Sequence, residues 1–166
     1  MPAPPDSPFL RVPRTEWVSD NELAFALRDQ HPVSPGHTLV IPKRLIATWF
    51  DATLEEQHAL LALVETVKRA LDASTPRPDG YNVGFNAGVA AGQTVMHLHV
   101  HVIPRFLGDM DDPRGGVRHV IPSKGNYLHR VPPLSSGGER DPFARHVLPL
   151  FDVAERVAIV AAFVRP

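Results

Sequence analysis

The sequence contains no cysteine among its 166 residues, which excludes disulfides and cysteine-ligated zinc and leaves the redox compartment open. Charge is nearly balanced at -1, so electrostatics give no reason to expect binding to nucleic acid or to a membrane surface. No apolar run approaches the roughly 20 residues of a membrane span, and no signal-peptide pattern opens the chain. We therefore expect a cytoplasmic protein with neither a membrane nor a nucleic acid as partner.

Apolar residues and proline are abundant instead. Hydrophobic residues make up 43% of the chain and charged residues 21%, which is typical of a globular domain with a real core. The composition predicts a main domain over residues 1–128. Residues 129–166 are expected to be a linker and a C-terminal extension, with a helical stretch at 143–156 and an apolar run at 157–164. That run either docks on the main domain or begins a second domain that is cut off here.

Hydrophobic alternation predicts several strands. Segments 22–28 and 37–42 flank a loop rich in proline, which predicts an antiparallel pair. A third strand is expected at 81–86, followed by a Gly/Ala loop at 87–92. Shorter extended pieces are predicted nearer the start of the chain, at 9–13 and 16–18.

One long amphipathic helix is predicted from Thr53 to Ala73. Thr53 and Glu56 have the spacing of a capping box, in which each residue's side chain accepts a hydrogen bond from the other's backbone. Apolar residues then recur at helical spacing and should face the core. The predicted stripe consists of Leu54, Leu61, Val64, Val67 and Leu71.

The most informative stretch is 93–105, where His97, His99 and His101 follow each other at strict two-residue spacing. Alternation of this kind predicts a half-buried strand, on which same-face residues lie roughly 6–7 Å apart. The three imidazoles should therefore form a row on one face. The residues expected on the opposite, core-facing side are Thr94, Met96, Leu98, Val100 and Val102.

Three histidines in register are hard to explain by packing alone, and two chemical readings remain open. His-x-His pairs bind zinc or iron, but the outer two residues would be anchored roughly 13 Å apart by the strand rise, which suits one metal ion poorly. A neutral imidazole can also act as a nucleophile near pH 7. The small residues of loop 87–92 would let backbone N–H groups approach an anionic ligand closely.

The heptapeptide 97–103, His-Leu-His-Val-His-Val-Ile, resembles the His-φ-His-φ-His-φ-φ motif of the histidine triad (HIT) superfamily, where φ is apolar. Residues 35–42 resemble the family's upstream strand. Residues 91–95 resemble its approach to the triad, especially in the branch near the fragile-histidine dinucleoside polyphosphate hydrolases. The resemblance spans about residues 9–121. It implies an α+β fold with about five antiparallel strands, one main packed helix and a homodimer.

By motif position, the resemblance implies that His99 is a nucleophile that attacks the α-phosphate of a nucleotide. Water would then release a nucleoside monophosphate from the nucleotidyl-histidine. His101 would contact the phosphate or the leaving-group oxygen, and His97 would orient His99. His37 would support the triad, although a packing histidine is the alternative.

The resemblance also implies a set of substrate-binding residues. Asp29 matches the position that binds the ribose hydroxyls, and Asn86 matches a polar position near the phosphates; both could instead be turn or edge residues. Gln93 and Thr94 offer donors to phosphate oxygens. Apolar residues for a base pocket, or for plain core packing, are Phe9 and Leu27.

We expect an enzyme that hydrolyses dinucleoside polyphosphates. The alternatives are a nucleoside phosphoramidate hydrolase, a non-catalytic nucleotide-binding regulatory module and a protein that uses the same histidines for metal-dependent chemistry. No cofactor and no resident metal are expected, apart from magnesium carried in with the substrate. Ser7 and Leu45 stand where many relatives have zinc ligands, which argues against structural zinc.

Overall fold

A five-stranded antiparallel sheet organises residues 6–126, the part of the chain that this computed structural model describes. Its spatial order is β1-β2-β3-β5-β4. The strands are β1 (Ser19–Asp20), β2 (Ala24–Arg28), β3 (Thr38–Pro42), β4 (Gly80–Gly84) and β5 (Val100–Arg105). The α+β fold and the antiparallel pairing of segments 22–28 and 37–42 are confirmed. The predicted extension at 129–166 lies outside the described residues, and the homodimer stays a prediction.

Helix α1 (Leu54–Asp72) covers one face of the sheet, and its predicted capping box is confirmed. Thr53 Oγ1 accepts from the Glu56 N–H at 3.2 Å, and Glu56 Oε2 accepts from the Thr53 N–H at 2.8 Å. These two bonds satisfy backbone donors that the first helical turn leaves without partners. No helix within residues 6–126 is long and apolar enough to cross a membrane.

The predicted core stripe of α1 is partly wrong. Leu54 and Leu61 are 66% and 55% exposed. The helix carries leucines on more than one side, so periodicity alone does not select the buried face. The sheet selects it, because the residues that pack against β2, β3 and β5 come from a different phase of the helix. The buried apolar residues of α1 are Leu60, Leu63, Val67 and Leu71.

The N-terminal segment covers the opposite face of the sheet. There Phe25, Leu27, Leu39 and Ile41 form a second apolar cluster, against which the partly buried residues Phe9, Val12 and Trp17 pack. Each aliphatic side chain removed from water in such a cluster contributes about 1.5–3 kcal/mol. The extended piece predicted at 9–13 is wrong over most of its length, since a 3₁₀ turn forms at Pro8–Arg11. The piece predicted at 16–18 is wrong only at Glu16, the last residue of a second turn at Arg14–Glu16, because Trp17 is extended and the Val18 N–H donates to the Ala26 carbonyl.

Strand β5 begins later than the predicted strand at 93–105. Residues before Val100 do not pair in the sheet; Thr94 and Met96 are exposed rather than buried in the core. The backbone bends at residues 95–97, and the Leu98 N–H donates to the Ile46 carbonyl at 2.7 Å instead of to a strand of the sheet. The remaining short helices are the 3₁₀ turns Trp49–Asp51, Val89–Ala91 and Gly116–Val120, and α2 (Pro122–Gly125).

Glu56 should contribute more to stability than its neighbour Glu55. It is buried, accepts from Arg44 Nε and Nη2 at 2.7 Å each, and closes the cap of α1. The hydrogen bonds from Arg44 lower the pKa of Glu56 to about 2. We expect Glu56→Ala to lower the free energy of unfolding by about 2 kcal/mol, measured by urea denaturation. The exposed Glu55→Ala control should change it by less than about 0.5 kcal/mol. Equal losses in both variants would contradict this assignment.

Candidate functional site

A pocket of about 510 Å³ opens on the sheet face that carries the N-terminal segment. This volume lies in the range typical of small-molecule sites. Six of the predicted site residues line it: Phe9, Leu27, Asp29, Thr94, His99 and His101. The other four, which do not line it, are His37, His97, Asn86 and Gln93.

His99 has one ring nitrogen engaged and one available. Its Nδ1 lies 2.7 Å from the His97 carbonyl oxygen. A carbonyl can only accept, so Nδ1 carries the hydrogen and the neutral ring has its lone pair on Nε2. Its Nε2 has no hydrogen-bond partner among the described residues. Every buried side-chain nitrogen or oxygen of those residues does have one, so Nε2 is not buried. It is therefore open to a ligand in the pocket.

His97 does not line the pocket with the other two rings of the motif. It is fully buried, and its Nε2 lies 2.9 Å from the Pro42 carbonyl and 3.2 Å from that of Arg44. Its Nδ1 lies 2.7 Å from Ser7 Oγ. Burial lowers the pKa of the ring. The hydrogen bond between His97 and His99 is made by the His97 backbone carbonyl, and the orienting role of His97 stays a prediction.

His101 connects the pocket to a buried polar chain. Its Nδ1 lies 3.0 Å from His37 Nε2, and Asp29 Oδ2 lies 3.3 Å from His37 Nδ1. Burial lowers the pKa of His101 to about 4, and repulsion from His99 and His37 acts in the same direction. Burial also lowers the pKa of His37, which Asp29 opposes. Both rings are therefore neutral near pH 7, and the hydrogen bond between them contains a single hydrogen, which either ring can carry.

Two arrangements of hydrogens fit this chain. If His37 Nδ1–H donates to Asp29, His37 Nε2 accepts from His101, and the Nε2 of His101 is left as a base. If instead the Val33 N–H donates to His37 Nδ1, at 3.4 Å, His37 donates to His101. The Nε2 of His101 then carries a hydrogen and can donate a hydrogen bond. The same three side chains can thus present either form to the pocket.

Gln93 and Asn86 take no part in lining the pocket. Gln93 is buried, and its Oε1 accepts from the Gly88 N–H at 2.8 Å. Its Nε2 donates to the carbonyls of Ala47 and Val95 at 2.7 and 3.1 Å. Both amide hydrogens are thus used within the protein, which leaves none for the phosphate contact expected from the sequence. Gln93 instead braces the loop that leads into the histidines.

A metal ion has one candidate set of ligands in the described part of the chain. One ligand atom each from Asp29, His37 and His101 lies within 4.8 Å of the others. Two imidazoles and a carboxylate suit zinc. Binding would, however, replace the hydrogen bond between His37 and His101. The sequence predicts that His37 supports the triad, but nothing local indicates that Asp29 meets the two histidines.

Ser7 makes a contact near the site that the sequence did not predict. It stands where many relatives have a zinc ligand, and here it is 1% exposed and hydrogen-bonded to His97. Other unpredicted lining residues of the pocket are Pro8, Val12, Glu16, Arg28, Gln30, His31, Leu39 and Val95. No local pattern marks them, because they are brought together by the sheet and by the N-terminal segment.

Comparison with known proteins identifies the family. A model of the HIT domain matches residues 11–108, more than half of the chain. The chain belongs to the HIT domain family. The matched residues include the sheet, helix α1 and all three histidines of the motif, and they exclude Ser7 and Phe9.

Among HIT relatives, the AP-4-A phosphorylase of Mycobacterium tuberculosis is 36% identical over 113 residues, 64% of this chain and 57% of that protein. The chain thus spans little more than half the length of this relative. The bis(5'-adenosyl)-triphosphatase of Dictyostelium discoideum is 36% identical over 101 residues, 61% of this chain and 67% of that protein. The crystal structure of a zinc-bound histidine triad family protein from Mycobacterium smegmatis has a TM-score of 0.54 and 36% identity, covering 58% of this chain and 69% of that one.

Acid should destabilise this HIT domain partly through His101. Between pH 6.5 and 4 an unfolded histidine takes up a proton that the folded His101 does not, so stability falls as the pH drops. We expect His101→Gln to lose about 2 kcal/mol less than the wild type between pH 7 and pH 5, because about 1.5 pH units of that window lie below the unfolded pKa and each is worth about 1.4 kcal/mol. Urea unfolding at each pH measures this. His58→Gln, on the exposed side of α1, should follow the wild type; a parallel loss in His101→Gln would refute the assignment.

Proposed function

We propose that the chain is a nucleotide hydrolase that forms a nucleotidyl-histidine on His99 and acts on dinucleoside polyphosphates, releasing a nucleoside monophosphate. The observation that carries this proposal is the bond from His99 Nδ1 to the His97 carbonyl, at 2.7 Å. It leaves the Nε2 lone pair available beside a pocket of nucleotide size. The names of the relatives, a phosphorylase and a triphosphatase, support the choice of substrate class.

In the first step, His99 Nε2 attacks the α-phosphorus. A phosphorus–nitrogen bond forms while the bond from phosphorus to the bridging oxygen breaks. The nucleoside polyphosphate leaves as an anion that needs no proton, and its oxygen accepts a hydrogen bond from His101 Nε2–H while His101 Nδ1 accepts from His37. Because Nδ1 of His99 keeps its hydrogen bond to a carbonyl, the positive charge that develops on the ring is stabilised without any rearrangement.

In the second step, water attacks the same phosphorus and the phosphorus–nitrogen bond breaks. In the other arrangement of hydrogens, His101 Nδ1 donates to His37, so the lone pair on His101 Nε2 can accept the proton of the water and then release it to solvent. The ring contact between His99 and His101, at 5.1 Å between centroids, brings both groups within reach of one phosphate. His101 therefore donates a hydrogen bond in the first step and acts as a base in the second.

One nucleotide half of the substrate would fill the pocket. The base would lie among Phe9, Leu27 and Leu39, which are apolar, and the ribose hydroxyls would donate to Asp29. Each carboxylate oxygen has a lone pair beyond those used by the His31 N–H and by His37. Thr94, exposed at the pocket rim, offers a hydroxyl to the phosphate.

His99→Ala should abolish turnover of diadenosine tetraphosphate, by at least about a thousandfold, because it removes the attacking nitrogen. AMP binding, measured by calorimetry, should remain within about threefold, since a smaller side chain leaves the base and ribose contacts in place. Rapid quenching of the wild type followed by mass spectrometry should find AMP attached to the peptide that contains His99. His58→Ala is the matched control. Near-normal rates in His99→Ala would rule out the nucleophile.

Chelation separates this proposal from metal-dependent chemistry. We expect EDTA to leave hydrolysis of adenosine phosphoramidate within about twofold, because the proposed steps need only imidazoles. Added zinc should inhibit hydrolysis. It would bind to Asp29, His37 and His101 and replace the hydrogen bond between the two rings. Comparing rates on diadenosine tetraphosphate and on the phosphoramidate shows which substrate class is preferred. Turnover that disappears with EDTA would instead favour the metal-dependent reading, and AMP binding without turnover would favour a regulatory module.

A further inference from the structure

A buried hydrogen bond connects the N-terminal segment to the first histidine of the motif. Ser7 Oγ lies 2.7 Å from His97 Nδ1, which is 90 positions later in the sequence. Ser7 is 1% exposed and His97 is fully buried. His97 lies within the residues that the HIT domain model matches and Ser7 lies outside them.

The surroundings of His97 fix the direction of this bond. Its Nε2 faces two carbonyl oxygens, those of Pro42 and Arg44, and therefore carries the hydrogen. The neutral ring then has its lone pair on Nδ1, so the Ser7 hydroxyl must be the donor. Ser7 Oγ in turn accepts from the Phe9 N–H at 3.3 Å. Both ring nitrogens of His97 are used inside the protein, and neither is available for proton transfer.

Ser7 anchors one wall of the pocket. It is the N-cap of the 3₁₀ turn Pro8–Arg11, and its carbonyl accepts from the Leu10 N–H at 3.1 Å. Phe9 on that turn lines the pocket and meets the His99 ring edge-on, with 5.2 Å between centroids. Within the described residues, the bond to His97 is the one hydrogen bond that links residues 6–12 to any residue beyond Trp17.

We propose that Ser7 is a positioning residue that closes the N-terminal wall of the nucleotide pocket by its hydrogen bond to His97. The ring of His97 then holds this wall in place, while His99 and His101 have the catalytic roles proposed above. The inference rests on the proposed function for the identity of the ligand. The attachment of the wall itself does not, because it can be measured without any nucleotide.

Ser7→Ala tests the proposal by two independent measurements. The amides of Leu10 and Val12, both hydrogen-bonded within the 3₁₀ turn, should exchange with deuterium at least about tenfold faster, while amides of α1 stay unchanged. The Kd for AMP and the KM for diadenosine tetraphosphate should each rise about tenfold, the loss that one buried hydrogen bond brings, with kcat within about twofold.

Two further variants sharpen the test. Ser74→Ala removes a serine hydroxyl that donates to the Leu71 carbonyl at the end of α1, away from the pocket, and should change neither measurement. Ser7→Cys keeps a weak donor and should give intermediate values, and it carries the test if Ser7→Ala does not fold. Unchanged exchange at Leu10 and Val12 overturns the proposal, as does a fall in kcat at constant KM. If amide exchange rises in Ser7→Ala but the wild type binds no AMP, the role of Ser7 in holding the N-terminal segment is supported and the proposed function is refuted.

Discussion

The hydrogen bond from His99 Nδ1 to the His97 carbonyl is the constraint on which the rest of the site depends. It sets the tautomer of the ring, and with it the nitrogen that meets a ligand. The bond needs a carbonyl that no neighbouring strand uses. In a regular strand pair that carbonyl would join the sheet, so the bond forms only because pairing in β5 begins at Val100. The late start of the strand therefore leaves the Nε2 lone pair of His99 available for the nucleophilic role proposed above.

Three identical side chains at two-residue spacing have acquired three different environments. His97 has both nitrogens engaged by the protein, in a buried position. His99 has one nitrogen bound to a backbone carbonyl, and His101 has one bound to His37. The number of nitrogens left over, rather than the residue type, therefore determines which ring can do chemistry. The ring of His97 therefore holds the N-terminal wall of the pocket. The rings of His99 and His101 line the pocket and each keep one nitrogen that the protein does not use.

Much of the fold and part of the site could be predicted from local pattern. The capping box of α1 and the pairing of segments 22–28 and 37–42 depend on neighbouring residues, which the sequence shows directly. Burial of His97 could not be predicted, because it depends on carbonyls of Pro42 and Arg44, far away in the chain. The start of β5 could not be predicted either. In the alternation at 94–102 both the apolar residues and the histidines can be buried, so the pattern is the same inside and outside the paired strand.

The chain from Asp29 through His37 to His101 shows why sheet register decides what local pattern does not. Leu39 lies opposite His101 in the pairing of β3 with β5. His37 precedes Leu39 by two residues, so it projects from the same face and is the diagonal neighbour of His101. A shift of one residue in this register would turn His37 to the helix side and leave His101 without its partner. The apolar residues of β3 and β5 that pack against α1 resist such a shift, so the hydrophobic core fixes this chain of polar contacts as well as the fold.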